Sequence, residues 1–485
     1  MTSDVFSRRF HLDIRTETSV TAIDRRARTV TCRRADGASE DIAYDRLVLA
    51  PGTVGITPPI PGLGRDNIFT LRTVPDVDEI TAFLEAAQAR DTEAVEAQRR
   101  TIAPLRAVVI GGGYIGLEAA EQLLRRGLRV TLVEMADQLM LAMDPEMSLP
   151  LQEALEKAGC EVVLSDAVSE VVDADGGTEV RTRLGRRIPF DIAILAVGVR
   201  PNVHLAEEAG IELGRTGAIR VDEFQRTSDP CIYAAGDAAE TMHLVLGKPV
   251  NIPLAGPANK AGRIAGANAA LDLEGASDND PRRLRFRGVL GTAGVRVCQT
   301  LACVTGLTEA QARREGASFA VTYMPGTSHA GYYPGAGQMT LKVLYEPDSG
   351  RLLGAQAVGA DGVDKRIDVL ATAIAAGMTV EDLEHLDLCY APPFGSAKDL
   401  QIETGFAASN IRRGLMPSVT PAELLDELNS DDPPTVIDVR TKHEFDSGHL
   451  EGAVNIPLDE FRGRLDEVPT DGPVVVYCGC LLYTS

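Results

Sequence analysis

The sequence predicts an α/β protein of several domains. Three observations predict this class: Arg106–Glu134 reads as strand, glycine turn, helix and second strand; Thr227–Ala270 reads as strand, glycine turn and long helix; and further short apolar strands follow residue 411. Strands that alternate with helices are typical of parallel sheets. At 485 residues the chain has room for three domains, on a prior of roughly 150 residues per domain.

Composition narrows the classes of partner. The formal net charge of −22 argues against nucleic acid or an anionic membrane as the main partner. No apolar run reaches the roughly 18 residues of a spanning helix, and residues 1–15 lack a signal-peptide core. The eight cysteines are scattered through a long chain and therefore read as reduced thiols. We expect a cytoplasmic protein with a small-molecule substrate and no metal.

A glycine turn between two strands predicts a dinucleotide site. Its parts are, in order, Ala107–Ile110, Gly111-x-Gly113-x-x-Gly116, a helix-period stretch to Arg126, and Val130–Val133. Gly111 permits the tight turn, Gly113 lets the backbone approach a pyrophosphate, and Gly116 lets helix and strand pack closely. Glu134 follows the second strand, where a carboxylate accepts hydrogen bonds from ribose hydroxyls. Because no Arg or Lys lies between Glu134 and Asp144 to hold a 2′-phosphate, we expect NADH in preference to NADPH.

A second cluster predicts another cofactor. Its members are a strand that ends in a Gly-Asp turn, Thr227–Asp237, and a helix that starts with small residues, Leu254–Ala270. This pair resembles the FAD motif of two-dinucleotide flavoproteins. The resemblance implies that Gly236 and Asp237 meet the ribityl or phosphate region, and that Leu254 and Ala255 open a helix whose N-terminus faces the isoalloxazine.

Two shorter segments resemble other turns of the same flavoproteins. Ala50-Pro51-Gly52 resembles the turn that leaves the FAD region, and Gly198 lies in its counterpart in the NAD region. Each segment alone is equally well explained as a glycine turn that closes a buried strand. Their order along the chain favours the flavoprotein interpretation, in which Val20 is a further FAD contact. The N-terminal GxGxxG unit of such proteins has no counterpart before Gly111, so we expect a βαβ unit of about 30 residues to be missing from the N-terminus.

The third region resembles a dimerisation domain. The segments that carry the resemblance are GTAGVRVCQTLACVTGLTEAQA (291–312), SHAGYYPGA (328–336), LGAQAVGADGVDKRIDVLATAI (353–374) and YAPPFGSAKD (390–399). They are similar to the coenzyme A disulfide reductase and NADH oxidase group of the pyridine nucleotide-disulfide oxidoreductases. The resemblance implies a homodimer, the cofactors FAD and NAD(P)H, coenzyme A as substrate, and one redox cysteine in an SFxxCGxPY-type segment. None of the cysteines here matches that segment.

Tyrosines are the implied acids of this site. Tyr332 or Tyr333, and Tyr390, match tyrosines that approach the disulfide across the dimer and donate to the leaving thiolate. A partly buried aromatic at a dimer interface is the alternative. Cys298 and Cys303 have the CxxxxC spacing of glutathione-type reductases, but they lie far downstream and are interpreted as core residues.

The first turn of the helix after the glycines completes the predicted NAD site. Tyr114 and Ile115 belong to it by position. Glu118 resembles the acid near the nicotinamide and would orient that ring. A charge near a helix terminus is an equally good explanation of Glu118.

A further domain begins after Ile411, where Thr420 and Pro421 open an amphipathic helix. The motifs TVIDVR (435–440), EFDSGHLEGAVNIP (444–457) and VVVYC (474–478) match the rhodanese pattern in order and spacing. In rhodaneses, backbone N–H groups of the loop after the cysteine lower its pKa and hold an anionic persulfide, so Cys478 is the predicted catalytic cysteine. A core cysteine at a strand end is the alternative.

The rhodanese pattern departs from expectation at its end. A loop and a helix should follow Cys478, but the sequence continues only with Gly479, Cys480 and Leu481–Ser485. We expect a truncated domain with an incomplete cradle, and we interpret Leu481–Ser485 as translated sequencing adapter. The remaining motif residues Asp438, Arg440 and His449 are expected to brace the scaffold.

Together these motifs predict a two-dinucleotide flavoprotein. The predicted domains are an FAD domain over 1–105 and 222–288, an NAD-binding Rossmann domain over 106–221, an α+β dimerisation domain over 289–411 and a truncated rhodanese domain over 418–480. The resemblance implies that hydride passes from NADH through FAD to a thiol that cleaves CoA disulfide, CoA persulfide or polysulfide, with sulfur exchange at Cys478. An NADH oxidase or peroxidase, and a non-catalytic NADH-binding dimer, are the alternatives.

Overall fold

The computed structural model describes residues 3–98, 104–174 and 177–478. The chain forms two compact units, Met1–Ile56 with Gly198–Gly291 and Thr57–Val197 with Thr292–Ser485. The predicted domain limits are finer than this division and remain predictions. Cys480 and Leu481–Ser485 lie outside the described residues. Among the described helices, none is long and apolar enough to cross a membrane.

The first unit combines small sheets with one long helix. Its strands are an antiparallel sheet of Thr18–Asp24, Thr29–Arg34 and Ser39–Ala43, a parallel pair of Leu47–Leu49 with Ile232–Ala234, and antiparallel pairs of Thr53–Gly55 with Val199–Pro201 and of Thr241–His243 with Lys248–Val250. Its helices are Ser3–Phe10, His204–Glu208, the 3₁₀ turn Gly236–Ala238 and Ala255–Leu273. The long helix packs through Ala261, Ala265 and Ala269 against Tyr233. These small side chains bring the helix close to the strand that leads into the Gly-Asp turn.

The second unit begins with a parallel sheet. Its spatial order is Ile68–Thr70, Ile192–Leu195, Arg106–Ile110, Arg129–Val133 and Glu161–Val163. The helices of this part are Val74–Gln98, Tyr114–Arg125 and Pro145–Lys157, and an antiparallel sheet of Val168–Ala174, Gly177–Thr182 and Arg187–Phe190 accompanies them. Val108 and Val109 point to opposite faces of the sheet and both are fully buried, as expected of a parallel strand covered on both sides.

An antiparallel sheet follows in the same unit. Its spatial order is Ala293–Val297, Thr300–Gly306, Leu352–Gly359, Gln338–Tyr345 and Ala320–Thr327. The helices of this part are Glu309–Glu315, Val363–Ala375, Val380–Leu383 and Leu400–Arg412. The predicted α/β class, with a separate α+β region after the parallel sheet, is confirmed.

The C-terminal part is a small parallel sheet with a thin core. The strands, in spatial order, are Val454–Asn455, Thr435–Asp438 and Val474–Tyr477, and the helices are Pro421–Leu428, Lys442–Ser447, Leu458–Phe461 and the 3₁₀ turn Leu465–Glu467. The fully buried apolar residues at its centre are Ile437, Val439 and Ile456. Thr420 caps the first helix by accepting a hydrogen bond from Glu423 N–H at 3.2 Å, as the sequence predicts.

Candidate active site

The glycines of the predicted dinucleotide turn differ in the space around them. Gly111 has φ +109°, and a Cβ there would overlap the carbonyl of Ala196. A Cβ on Gly116 would overlap the carbonyl oxygen of Gly111, because helix and strand touch at this point. A Cβ on Gly113 would meet no atom within 4 Å. The turn is therefore closed on the protein side and open in front of Gly113.

The helix that follows the turn presents free donors to this open space. Helix Tyr114–Arg125 has Gly113 as its N-cap, and no side chain caps it. The first N–H groups of such a helix carry a partial positive charge and attract phosphate. This geometry supports the prediction of a pyrophosphate site at the turn.

Glu134 lies beside the turn at the carboxyl end of the next strand. Its Oε2 accepts a hydrogen bond from Gly112 N–H at 2.6 Å, and its Oε1 accepts one from Ala136 N–H at 2.8 Å. A carboxylate has about four acceptor positions, so the two ribose hydroxyls of a dinucleotide can still donate to it. The two backbone contacts orient the carboxylate towards the turn.

The first helical turn carries the remaining residues of the predicted NAD site. Tyr114 packs on the core, and burial raises the pKa of its phenol to about 12, so that it stays neutral. Ile115 is half-buried. Glu118 is exposed and lines an open cavity of about 400 Å³ with residues of the antiparallel sheet and of helix Val363–Ala375. The glycine turn, Tyr114 and Glu118 thus share one end of this helix.

In the first unit, a parallel strand pair brings the two predicted FAD turns together. Leu47–Leu49 pairs with Ile232–Ala234 in parallel, so the turns that follow these strands leave the same edge. These turns hold Ala50, Pro51 and Gly52 on one side and Gly236 and Asp237 on the other. Gly52 and Gly236 have φ values of +70° and +75°.

The Gly-Asp turn also meets the start of the long helix. A Cβ on Gly236 would lie 3.5 Å from the Cβ of Ala258, in the first turn of helix Ala255–Leu273. Leu254 is the N-cap of this helix, and no side chain caps it. The Asn251 amide donates to the carbonyls of Asp237, at 2.8 Å, and Ala239, at 3.3 Å. Uncapped N–H groups beside a fixed turn fit the anionic and polar parts of FAD.

Two further predicted cofactor residues occupy other places in this unit. Gly198 has φ +103°, and its carbonyl accepts a hydrogen bond from Ile56 N–H at 3.0 Å. Val20 is exposed on the three-stranded antiparallel sheet. The structure therefore joins the Ala50–Gly52 and Gly236–Asp237 turns, while Val20 lies on a separate sheet.

The structure brings two of the three predicted tyrosines together. The phenol oxygens of Tyr332 and Tyr390 are 3.4 Å apart, and this hydrogen bond raises the pKa of Tyr332. Tyr333 instead packs edge-to-face on His329, with ring centroids 5.7 Å apart. The exposed fractions are 77% for Tyr332, 47% for Tyr390 and 43% for Tyr333. An accessible pair of phenols thus lies on the surface of the dimerisation region.

The cysteines of the dimerisation region have different environments. Cys298 is at the tip of a hairpin with φ +55°, and Cys303 is buried in the adjoining strand. Both thiols are free. Burial raises the pKa of Cys303 to about 12, which supports its interpretation as a core residue. Cys389 is exposed and directly precedes Tyr390.

The predicted rhodanese cysteine lies at a strand end. Cys478 follows strand Val474–Tyr477 and packs, half-buried, against the small core. The Arg440 guanidinium bonds the buried Asp438 carboxylate at 2.7 Å and donates to the Gly448 carbonyl at 2.7 Å. Arg440 also lies over the ring of Tyr477. These contacts brace the strand ends, and the loop after Cys478 lies outside the described residues.

A carboxylate cluster that the sequence analysis missed joins the start of helix Pro145–Lys157 to the five-stranded antiparallel sheet of the second unit. In the described part of the chain, Asp144, Glu146 and Glu309 place carboxylate oxygens within 4.8 Å of one another. The ammonium of Lys342 lies among them, at 2.7 Å from Asp144 and 2.6 Å from Glu309, and also contacts Glu146. Burial alone would lower the pKa of Lys342, but these carboxylates raise it. The lysine ammonium therefore takes the position that a metal ion would have among these carboxylates. Lys342 and Asp144 are about 200 positions apart in the sequence, so no local spacing indicates that they meet.

Comparisons with known proteins support the same organisation. The family model of pyridine nucleotide-disulphide oxidoreductases matches residues 3–272, that of their dimerisation domain matches residues 292–400, and that of rhodanese-like domains matches residues 420–480. The NAD(P)H coenzyme A polysulfide/persulfide reductase of Pyrococcus horikoshii is 33% identical over 82% of this chain and 82% of its own length. The coenzyme A disulfide reductase of Staphylococcus aureus is 32% identical over 84% of this chain and 86% of its own length.

A solved structure extends the match to the C-terminal domain. The crystal structure of reduced Bacillus anthracis CoADR-RHD is similar with a TM-score of 0.89 and 40% sequence identity, over 99% of this chain and 81% of that one. The predicted resemblance is therefore confirmed for all three regions. The chain belongs to the pyridine nucleotide-disulphide oxidoreductase family, with a dimerisation domain and a rhodanese-like domain after its dinucleotide-binding part.

Proposed function

We propose that this protein is an FAD-dependent oxidoreductase that uses NADH to reduce the sulfur–sulfur bond of CoA disulfide, CoA persulfide or polysulfide, and that its rhodanese-like domain exchanges sulfane sulfur at Cys478. The observation that carries this proposal is the presence of a dinucleotide turn, a surface pair of phenols and a rhodanese-like domain in one chain. The similar proteins named for CoA disulfide and CoA persulfide reduction support the choice of acceptor.

The cofactor-binding residues are proposed from the geometry of the turns. The dinucleotide turn and the helix behind it bind the pyrophosphate of NADH, and Glu134 accepts the ribose hydroxyls. Tyr114, Ile115 and Glu118 lie at the nicotinamide end. FAD, when bound, supplies the chemistry that passes electrons from nicotinamide to sulfur. The residues proposed to hold it are Val20, Ala50, Pro51, Gly52, Gly236, Asp237, Leu254 and Ala255. Gly198 is kept as a residue of the NAD region.

The tyrosine pair is proposed to donate a proton to the sulfur that leaves when the sulfur–sulfur bond breaks. Reduction of CoA disulfide by NADH and one proton breaks one sulfur–sulfur bond and yields two CoA thiols. A phenol that donates to the departing sulfur stabilises the developing thiolate. Tyr332 and Tyr390 share a hydrogen bond, so that either can donate while the other accepts. Their exposure in one protomer supports a homodimer in which the partner completes the site.

An NADH oxidase on the same scaffold is the second candidate. It shares the dinucleotide turns, but it offers no reaction for a sulfur-transfer domain. The rhodanese-like match therefore favours sulfur as the acceptor. A cytoplasmic location stays a prediction.

The acceptor decides between these candidates. We would measure NADH oxidation by the protein with CoA disulfide, CoA persulfide, polysulfide and oxygen. We expect the sulfur acceptors to be used at least about tenfold faster than oxygen, with FAD bound. Replacement of Tyr390 by phenylalanine is the control and should lower the turnover of the sulfur acceptors. Faster turnover with oxygen would move the assignment to NADH oxidase.

A further inference from the structure

We propose that the buried ion pair Arg366–Asp399 is a positioning element for the tyrosine pair. The first tyrosine loop, residues 328–337, carries Tyr332, and the second tyrosine loop, residues 388–399, carries Tyr390. The ion pair ties the two loops to one helix and so sets the distance between the phenols. This inference rests on the proposed function, because it assigns the pair to the same site.

The ion pair itself is buried and satisfied. The side chains of Arg366 and Asp399 are 1% and 3% exposed. The guanidinium binds the carboxylate through two bonds, from Nε to Oδ1 and from Nη2 to Oδ2, both at 2.8 Å. Such a two-bond pair restricts rotation as well as distance. Removal of Asp399 would leave the Arg366 guanidinium as an uncompensated buried charge, whereas removal of Arg366 would leave Asp399 with only Lys365, at 3.9 Å.

Each member of the pair holds one tyrosine loop. Arg366 Nη2 also donates to the carbonyl of Ser328, at 2.8 Å, where the first tyrosine loop begins. Asp399 ends the second tyrosine loop and caps the next helix, because its Oδ1 accepts from Leu400 N–H at 2.9 Å. Arg366 Nη1 donates to the Gly362 carbonyl at 3.1 Å, which fixes the guanidinium to its own helix start.

Further bonds join the two loops directly above the pair. Ala330 N–H donates to the Gly395 carbonyl at 3.0 Å, which links one loop to the other. A Cβ on Gly395 would lie 2.8 Å from Asp399 Oδ2, so only glycine fits over the carboxylate without displacing it. The first loop is closed at its base by Ser328, whose hydroxyl accepts from Gly337 N–H at 3.0 Å.

These bonds connect the buried ion pair to the two loops that carry the exposed phenols. The phenol rings have solvent on one side, since Tyr332 is 77% and Tyr390 47% exposed. Packing within one protomer therefore does not set their positions. Proton transfer depends on heavy-atom distances of about 2.6–3.2 Å, and a misplacement of about 1 Å can cost on the order of 10²-fold in rate. The loops therefore need contacts with the protein interior to hold the phenols in place, and the ion pair supplies such contacts.

The test uses the absence of tryptophan from this chain. The substitution Tyr332→Trp introduces one fluorophore on the first tyrosine loop, and its anisotropy reports nanosecond loop motion. Adding Arg366→Lys keeps the charge but removes the two-bond geometry, and we expect the anisotropy to fall by at least about a quarter. Adding Asp399→Asn should have a similar effect.

The matched control lies on the helix that Asp399 caps. Arg412 pairs with Glu381 at the far end of helix Leu400–Arg412 and is partly buried. Arg412→Lys therefore perturbs this helix without touching either tyrosine loop, and we expect the anisotropy to stay unchanged. Equal anisotropy in the Arg366→Lys, Asp399→Asn and parent proteins, each shown to be folded by circular dichroism, would overturn the proposal.

Turnover provides the second readout. In the protein that keeps Tyr332, Arg366→Lys should lower kcat for CoA disulfide at least about tenfold and change KM for NADH by less than twofold. The control Arg412→Lys should change kcat and KM by less than twofold. Equal loss of kcat in both variants would reduce the pair to a general stability role and overturn the proposal. If the parent protein reduces no sulfur acceptor, the proposed function fails, but the anisotropy still decides whether the ion pair fixes the loops.

Discussion

The dinucleotide turn and the two tyrosine loops lie in the same compact unit but are built in opposite ways. The turn consists of backbone pressed between buried strands, and a side chain at Gly111 or Gly116 would overlap a carbonyl. The tyrosine loops present exposed side chains, and one buried ion pair holds them from below. A site made of backbone is thus held rigid by packing, while a site made of exposed side chains needs further contacts to hold it in place.

The alkylation rates of one buried and one exposed thiol test how far the packed core and the tyrosine loops differ. Burial raises the pKa of Cys303 to about 12, so that only about 10⁻⁴ of it is thiolate at pH 8. Cys389 is exposed on the second tyrosine loop. We expect Cys303 to be alkylated at least about 10³-fold more slowly than Cys389 at pH 8, with its rate rising about tenfold per pH unit below pH 12. Mass spectrometry after timed alkylation measures this, and equal rates would show that the core around Cys303 opens readily.

Substitutions at two glycines would test the rigidity of the turn. We expect Gly116→Ala to weaken NADH binding about 10²-fold and to lower the thermal unfolding midpoint, because its methyl group overlaps the Gly111 carbonyl oxygen. Gly113→Ala is the matched control, since open space surrounds that position. It should leave the unfolding midpoint unchanged while weakening NADH binding, because the methyl group enters the space of the ligand. A Gly113→Ala variant that binds NADH normally would place the pyrophosphate elsewhere.

Replacing a tyrosine by phenylalanine tests whether its hydroxyl takes part in the reaction. We expect Tyr390→Phe to lower kcat with CoA disulfide by about 30-fold, less than the roughly 10²-fold effect of losing a general acid altogether, because Tyr332 remains as a donor. KM for NADH should stay unchanged. Tyr333→Phe serves as the comparison, because Tyr333 packs on His329 and not on the phenol pair. Steady-state kinetics would separate the two, and a larger loss from Tyr333→Phe would reverse the assignment.

We expect the smallest change in the preference for NADH over NADPH. Glu134→Gln removes the negative charge beside the turn but keeps one oxygen for Gly112 N–H, which now lies 2.6 Å from the carboxylate. We expect the ratio of kcat/KM for NADH over NADPH to fall about tenfold, in line with about 1.5–3 kcal/mol for a hydrogen bond to a charged group, reduced by the bond that remains. An unchanged ratio would mean that Glu134 orients the turn without contacting the ribose.

The difference between the two regions also explains what the sequence could predict. Glycine spacing follows from local geometry, so Gly111, Gly113 and Gly116 are readable over six positions, and the parallel strands around them follow from the same pattern. The α/β class and the order of regions could be predicted for this reason. Tyr332 and Tyr390 could be named only through resemblance to a family.

The supports of the tyrosine loops could not be predicted at all. Arg366 and Asp399 are 33 positions apart, and in sequence each resembles a surface charge. Lys342 reads as a charged residue within a strand, yet it is fully buried among carboxylates from other elements. Only the packing of helices against the antiparallel sheet brings these charges together, and no local pattern encodes that packing.

An anaerobic stoichiometry shows whether the electrons of NADH reduce a sulfur–sulfur bond. The protein would be mixed with a limiting amount of NADH and excess CoA disulfide in the absence of oxygen, and the free thiols would be counted. We expect two CoA thiols for each NADH consumed. NADH that is stable until oxygen is admitted, with no thiol released, would contradict it.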